Sequence, residues 1–440
     1  MRPLLSQYCL VLDGVAGDGR VVVHDLLTDT GVLVKRRVAE DPGRALAEGD
    51  PEAAEMRQCG MLFDADQDPH GDRWLAEYWL SKRRLGSSTA FFTYVLTLHC
   101  NLKCTYCYQS PLTERSRMTP ELATKAADWS IRVAQANRVR ELIAIYFGGE
   151  PMLEPEILRT ISGRLKAAAA AYHWSYRAKA VTNGTLLTPE LVTSLADAGL
   201  SALQVTLDGP ATQHDQRRIG AAGQPTYQRI LDGIRACRGR LQVTIRVNVD
   251  RQNLPELGDF LETLGRLRTE GYIASVDLAG VMDPENQIPH CQQFGLAEVD
   301  YVSSVEPLYE RAQSLGLPPA NRVLPGPCPA VCDGSWVISP AGELYRCHHL
   351  LGNPQWSCGN IQSGAEPNHL YHQFVSMDPR NGECADCPYM PTCYGGCRYR
   401  AIVEGKRLDQ VSCYRKEYDH AIPVFLKTYY RNLLEGKIAG

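Results

Sequence analysis

At 440 residues the chain has room for about three domains, each large enough to bury its own core. Its 46 basic and 50 acidic residues leave a formal net charge of -4, which argues against a nucleic-acid groove or an acidic membrane surface as the main partner. No apolar run reaches the ~18 residues of a membrane span, and no basic stretch near the N-terminus leads into a long apolar one, so a cytoplasmic protein with neither membrane nor nucleic-acid partner is expected.

In chain order, residues 1–85 hold no cluster motif. Tyr8-Cys-Leu-Val-Leu12 and Gly19-Arg-Val-Val-Val-His24 read as two strands joined by a Gly/Asp turn, which predicts a hairpin. Helical spacing follows over Thr28–Ala39 and around Ala53–Leu62, and Trp74–Arg84 reads as a linking helix ended near Gly86. From Thr93 to about Met282 strand and helix alternate, the pattern of a parallel sheet with crossover helices. Strands are expected at Tyr94–Leu98, Ile143–Phe147, Lys179–Thr182, Leu203–Leu207, Val243–Val249 and Ser275–Gly280, with amphipathic helices such as Pro120–Ala136 and Glu156–Tyr172 between them. The stretch Pro284–Pro327 is richer in proline and carries one helix around Val299–Leu315. Sixteen cysteines make a poor disulfide framework for a reducing compartment, and eleven of them, Cys328 included, fall into two spaced arrays, so metal sites account for them better.

The first array is Cys100-Asn-Leu-Lys-Cys104-Thr-Tyr-Cys107, entered directly from the first barrel strand. Three thiolates at this spacing can hold three irons of a 4Fe-4S cube and leave the fourth open to a small molecule. A zinc site or buried thiols are the alternatives, and zinc wants a fourth ligand where His99 alone is adjacent. CxxxCxxC, with Tyr106 before the last cysteine, resembles the radical S-adenosylmethionine (SAM) superfamily. The resemblance implies a partial (β/α)6 TIM-like barrel and SAM bound through its amine and carboxylate at the open iron. Cleavage of SAM by one electron would release methionine and a 5′-deoxyadenosyl radical that takes hydrogen from substrate. In parallel barrels such chemistry sits beyond the C-terminal strand ends.

Two further motifs fall at those ends. Tyr146-Phe-Gly148-Gly149-Glu150-Pro151 resembles the superfamily's GGE motif, whose backbone and carboxylate hold the SAM amine. Val205-Thr206-Leu-Asp208-Gly-Pro210, followed by His214-Asp215-Gln-Arg217-Arg218, is similar to the SLDGPxxxHDxxR stretch of peptide- and protein-modifying members, with Thr206 in place of the usual Ser. By that resemblance Thr206 and Arg218 would contact the ribose or carboxylate region of SAM, with Tyr106 near the adenine. Asn183, before Gly184, reads either as a SAM contact or as a turn former, and Arg246 and Asn248 share one face of the fifth strand.

The second array runs Cys332-x9-Gly342-x4-Cys347, then Cys384-x2-Cys387-x5-Cys393-x3-Cys397, then Cys413. It matches the seven-cysteine SPASM domain, which in this superfamily carries two auxiliary 4Fe-4S clusters; a zinc ribbon would not explain this glycine placement. The resemblance assigns Cys332, Cys347 and Cys397 to a first auxiliary cluster, with Cys328 as its fourth ligand, and Cys384, Cys387, Cys393 and Cys413 to a second. Cys9, Cys59, Cys237, Cys291 and Cys358 read as small buried hydrophobes, and Cys358 also as an alternative ligand. The expected organisation is thus α/β throughout its centre. A winged-helix-like α+β module covers 1–85, a radical SAM barrel 86–295, a bridge 296–327 and a SPASM domain 328–440.

Sulfatase maturases of the SPASM group place an Asp base directly after the cysteine that closes Gly-x4-Cys; this chain has His348 there, followed by His349. The front module resembles the recognition domain of enzymes that modify ribosomally made precursor peptides, where an extended leader adds as a strand; a structural cap is its other reading. The expected activity is an oxidative peptide maturase that forms a C-C, C-O or thioether crosslink, served by a flavodoxin- or ferredoxin-type electron donor. A radical SAM dehydrogenase of a small metabolite and a non-catalytic iron-sulfur scaffold are the alternatives.

Overall fold

The computed structural model describes residues 3–64, 88–112, 115–281, 288–318, 328–363, 368–376, 379 and 383–436. The expected helix Trp74–Arg84 lies outside them, as does part of the expected bridge. The described residues fall into two compact units, one drawn from 1–82, 321–328 and 377–440, the other from 83–320 and 329–376. This division departs from four consecutive segments because the front and the end of the chain share one apolar core.

In the first unit, β1 (Leu4–Leu5) precedes β2 (Cys9–Leu12), β3 (Val21–Asp25) and β4 (Thr30–Val34), and β2-β3-β4 form an antiparallel sheet that contains the expected hairpin. The helix expected over Thr28–Ala39 is instead a third strand followed by the short α1 (Arg36–Glu40). Val32 and Val34 alternate into the core, and their branched side chains favour extended backbone. Asp41 and Asp50 cap α2 (Pro42–Ala47) and α3 (Pro51–Gln58), each with proline in the first turn. The chain then turns through Gly60 in the left-handed region into β5 (Leu62–Phe63), antiparallel to β1. Tyr8, Leu12, Val22 and Leu26 pack with Ile422, Leu426 and Tyr430 of the last helix and with Cys384 and Cys387. The Tyr430 hydroxyl lies 2.8 Å from Nδ1 of His24, and a Cβ on Gly31 would overlap the Tyr430 ring.

The second unit is built on β6 (Thr89–Thr97), β7 (Glu141–Gly148), β8 (Ser175–Thr182), β9 (Ala202–Thr206), β10 (Gln242–Val249) and β11 (Ser275–Gly280), all parallel and adjacent in chain order. Every expected strand is present, most with a slightly earlier start. Crossovers are α4 (Pro120–Ala136), α5 (Pro155–Ala171), α6 (Pro189–Asp197), α7 (Ala211–Arg217), α8 (Tyr227–Ala236) and α9 (Leu257–Thr269). The repeated Thr-Pro-Glu-Leu signal starts two of them: Thr119 accepts from the Leu122 N–H and Thr188 from the Leu191 N–H. On β7, Leu142, Ala144 and Tyr146 are buried while Ile143, Ile145 and Phe147 occupy the opposite, partly open face, as strand alternation requires.

Two elements were not legible as part of this sheet. β12 (Ser335–Ile338) lies parallel beside β6, and β13 (Leu344–Tyr345) pairs antiparallel outside it, giving eight strands. The apolar run at Trp336 is buried, and the Trp336 ring meets Trp129 of α4 edge-on at 5.6 Å. Among the described residues no helix is long and apolar enough to cross a membrane.

Candidate active site

The cysteine loop leaves β6 at Thr97, whose hydroxyl accepts from the His99 N–H at 3.1 Å. Its far side is held by the Lys103 and Thr105 N–H groups, which donate to Ile219 and Arg217 carbonyls at 2.7 and 3.0 Å. Burial pushes the Cys104 thiol up to about 12; Arg218 opposes this, and Cys107 and Cys100 add to it. The three sulfurs are thus electrostatic neighbours that suit a ligand able to take up thiolate charge.

The Gly-Gly-Glu turn is hydrogen-bonded to the same loop. The Gly149 and Glu150 N–H groups donate to the Thr97 and His99 carbonyls, both at 2.9 Å. A Cβ on Gly149 would overlap the His99 carbonyl, and Gly148 has φ +144° against Thr97. What these glycines admit closely is therefore the backbone of the cysteine loop. Glu150 is wholly buried and accepts from Thr182 Oγ1 (2.7 Å), Met152 N (2.9 Å) and Asn183 N (2.7 Å). Burial raises its carboxyl pKa, and these donors oppose the rise. Three bonds leave room on a carboxylate that has about four acceptor positions, which fits an ammonium group. Asn183 is more than a turn former: its Nδ2 donates to Asn101 Oδ1 at 2.8 Å and lies 3.8 Å from Cys100 Sγ.

Thr206 ends β9, buried. Beyond it the Asp-Gly-Pro segment folds around Tyr106. The Tyr106 hydroxyl donates to Asp208 and accepts from Arg218 Nη1 at 2.8 Å and Asn248 Nδ2 at 3.1 Å. Arg218 keeps Nε buried without a hydrogen-bond partner among the described residues, as do Arg217 and Arg398. Sequence reasoning missed Arg217. Its fully buried side chain donates to Asp250 Oδ1 at 2.6 Å and to the Asn248 carbonyl at 3.0 Å, and its guanidinium lies 5.0 Å from the Tyr106 ring centre. Asp250 also faces His290 Nε2 at 2.8 Å. The available signal was an acidic residue directly after a barrel strand.

The His-Asp pair of this motif is structural. His214 Nδ1 accepts from the Asp208 N–H at 3.2 Å, and Asp215 accepts from the Thr226 and Tyr227 N–H groups at 2.7 and 2.8 Å at the start of α8. Burial lowers the His214 pKa from 6.5 to about 4, so this histidine is neutral when folded. An unfolded chain takes up that proton near pH 6.5. The His214 contribution to stability should therefore fall as pH drops from about 6.5 to about 4, by up to about 3 kcal/mol. Urea denaturation across that window checks this, and His214→Gln should flatten the slope.

His348 lies beside Phe147 and His349, with ring centres at 5.3 and 4.4 Å, and burial lowers its pKa to about 3. Cys332 and Cys347 belong to the barrel unit, where Arg346 donates to the Ala330 carbonyl at 3.0 Å and to that of Cys332, with Cys358 as a charge neighbour. In the other unit Cys384, Cys387, Cys393 and Cys413 line one cavity with Tyr389, Met390 and Tyr418. Burial, reinforced by Cys393, Cys387 and Cys413, pushes Cys384 up to about 12. Buried Arg398 binds the carbonyls of Leu408, Gln410 and Gly396 at 2.7, 2.9 and 3.1 Å and has Cys397, Cys393 and Cys328 as charge neighbours.

A sheet of six parallel strands whose C-terminal ends gather a three-cysteine loop, a Gly-Gly-Glu turn and an Asp-Gly-Pro turn is the architecture of a radical SAM domain. Residues 94–264 match the family described as the Radical SAM superfamily, so the chain carries a domain of that kind. Mycofactocin maturase MftC of Mycobacterium tuberculosis (strain CDC 1551 / Oshkosh) is 27% identical over 338 residues, 72% of this chain and 80% of that protein. PqqA peptide cyclase of Rhodopseudomonas palustris is 27% identical over 326 residues, 70% of this chain and 81% of that protein. The solved structure of native anSMEcpe with bound AdoMet and Cp18Cys peptide superposes with a TM-score of 0.61 at 17% identity, covering 80% of this chain and 99% of that one, a likeness of fold.

Proposed function

We propose that this chain is a radical SAM maturase that oxidatively modifies a ribosomally made precursor peptide. The observation that carries the proposal is the stitching of the Cys100, Cys104 and Cys107 loop to Glu150, Asn183 and the Tyr106–Arg218 pair at one end of the barrel. Of the two curated relatives described above, one is named a mycofactocin maturase and the other a peptide cyclase. The three cysteines would hold a 4Fe-4S cluster. Glu150, Gly148, Gly149, Asn183, Thr206, Tyr106 and Arg218 would hold SAM. When bound, these groups supply one-electron cleavage of a sulfonium and with it hydrogen abstraction from substrate. The chain's own part is to orient: Glu150 offers a spare acceptor for the amine, and Arg218 offers a buried donor.

The cavity lined by Cys384, Cys387, Cys393 and Cys413 fits an auxiliary cluster closed by four thiolates, suited to electron transfer. Cys328, Cys332, Cys347 and Cys397 are the proposed ligands of another. The front module, three antiparallel strands followed by three helices, fits a winged-helix-like leader-binding domain with β2 and β4 as the outer strands of its sheet. A flavodoxin- or ferredoxin-type donor in the cytoplasm would reduce the enzyme.

Crosslinking within a peptide removes two electrons, which gives the auxiliary clusters a task. Anaerobically reconstituted enzyme, reductant, SAM and the short peptide encoded beside the gene should yield a product lighter by two hydrogens. An unchanged peptide alongside rapid SAM cleavage would refute the peptide reading. Iron and sulfide counting separates three clusters from one.

A further inference from the structure

The open face of the parallel sheet carries a charge set that none of the cofactor motifs uses. On β10, Arg246 donates through Nη1 to Asp277 Oδ2 at 2.7 Å and through Nε to Asn248 Oδ1 at 3.2 Å. The register sets Arg246 opposite Asp277 of β11 on one side and Thr206 of β9 on the other. Lys179 on β8 is the third charge. It makes no hydrogen bond or ion pair among the described residues, and the charges acting on it are Asp277, which favours its ammonium form, and Arg246, which opposes it. Desolvation also works against that ammonium. Two cations thus face one carboxylate, and Lys179, whose side chain is exposed, is left without a counter-charge of its own. Tyr301 and Tyr309 of the helix Glu298–Ser314 close the outer side by donating to the Leu278 carbonyl at 2.8 and 3.2 Å.

Depth separates Lys179 from the SAM residues, while Arg246, level with Thr206, reaches toward them. Glu150, Asn183 and Arg218 lie past the strand ends, whereas Lys179 sits three residues before Thr182, about 10 Å further down the strand. We propose that Lys179 and Arg246 form a subsite inside the barrel for a carboxylate of the peptide substrate, either an Asp/Glu side chain or the chain's own C-terminus. This rests on the maturase reading and narrows it: the modified segment presents an anion to the sheet face, so that the reacting carbon is positioned by a charge pair at one side.

The test is acetylation of Lys179 in the reconstituted holoenzyme, read by peptide mass spectrometry after a short pulse of N-hydroxysuccinimidyl acetate. Three probes are compared at saturation: acetyl-Gly-Glu-Tyr-amide, acetyl-Gly-Gln-Tyr-amide, and acetyl-Gly-Gln-Tyr with a free C-terminal carboxylate. A carboxylate probe should slow labelling about fivefold relative to the neutral one. The arm that protects identifies the source of the anion. Equal labelling with all three probes overturns the proposal, as does equal protection by SAM alone. If no probe protects while the enzyme still removes two hydrogens from its precursor peptide, the subsite falls and the maturase reading stands. Protection in an enzyme that cleaves no SAM leaves the carboxylate subsite and removes the maturase.

Discussion

A Gly149→Ala enzyme should lose most of its loop iron and bind SAM at least about tenfold more weakly, with about 1–3 kcal/mol of stability lost as well. The added methyl would overlap the carbonyl of His99, and the carbonyl carbon of His99 is 2.5 Å away, so no side chain can rotate to make room. The cysteine loop or the Glu150 turn must move, and the two bonds that join them, Gly149 N–H to Thr97 and Glu150 N–H to His99, go with it. Gly163 provides the control. It lies inside α5 with nothing within 4 Å of a Cβ, so Gly163→Ala should stabilise by about 0.5–1 kcal/mol. Iron per chain, SAM affinity by calorimetry and thermal unfolding of the two variants make the comparison. Normal iron and SAM binding in Gly149→Ala would show that the contact is not needed.

Asp250→Leu should cost more, about 3–5 kcal/mol in urea unfolding, because it strands the Arg217 guanidinium in a site with no exposure. The pair is wholly buried, and Arg217 Nη2 keeps one carbonyl, that of Asn248, as partner. Removing both charges in Arg217→Met/Asp250→Leu should recover much of the loss, since desolvation of the ions is then no longer demanded. The Arg217 guanidinium also stands 5.0 Å from the Tyr106 ring centre, so SAM affinity should fall in the single variant beyond what stability alone predicts. A single variant as stable as the double would contradict this account.

The barrel was legible because its signals are local. β-branched runs such as Val243–Val249 and Thr-Pro-Glu-Leu helix starts carry their own conformational preference, and the three motifs stand where parallel strands end. The cysteine arrays were equally plain as spacings, and a resemblance to a known family supplied their assignment to clusters. What could not be read is long-range. Thr30–Val34 is a strand because β3 lies beside it, and β12 joins β6 from more than two hundred residues away. Arg217, Arg346 and Arg398 look like surface residues in a sequence, yet each is buried on carbonyls or a carboxylate contributed by distant turns. His348 stood in the position of a base, and what its sequence position could not show is that it lies partly buried beside Phe147 and His349.

Because Tyr8, Leu12 and Val22 cover Ile422, Leu426 and Tyr430 in the core that also holds Cys384 and Cys387, the two ends of the polypeptide are one cooperative body. Truncation at either end would wet that core. An inactive shortened protein would then report a spoiled iron pocket as readily as a missing peptide dock, and single charge reversals along β2 or β4 discriminate where deletions cannot.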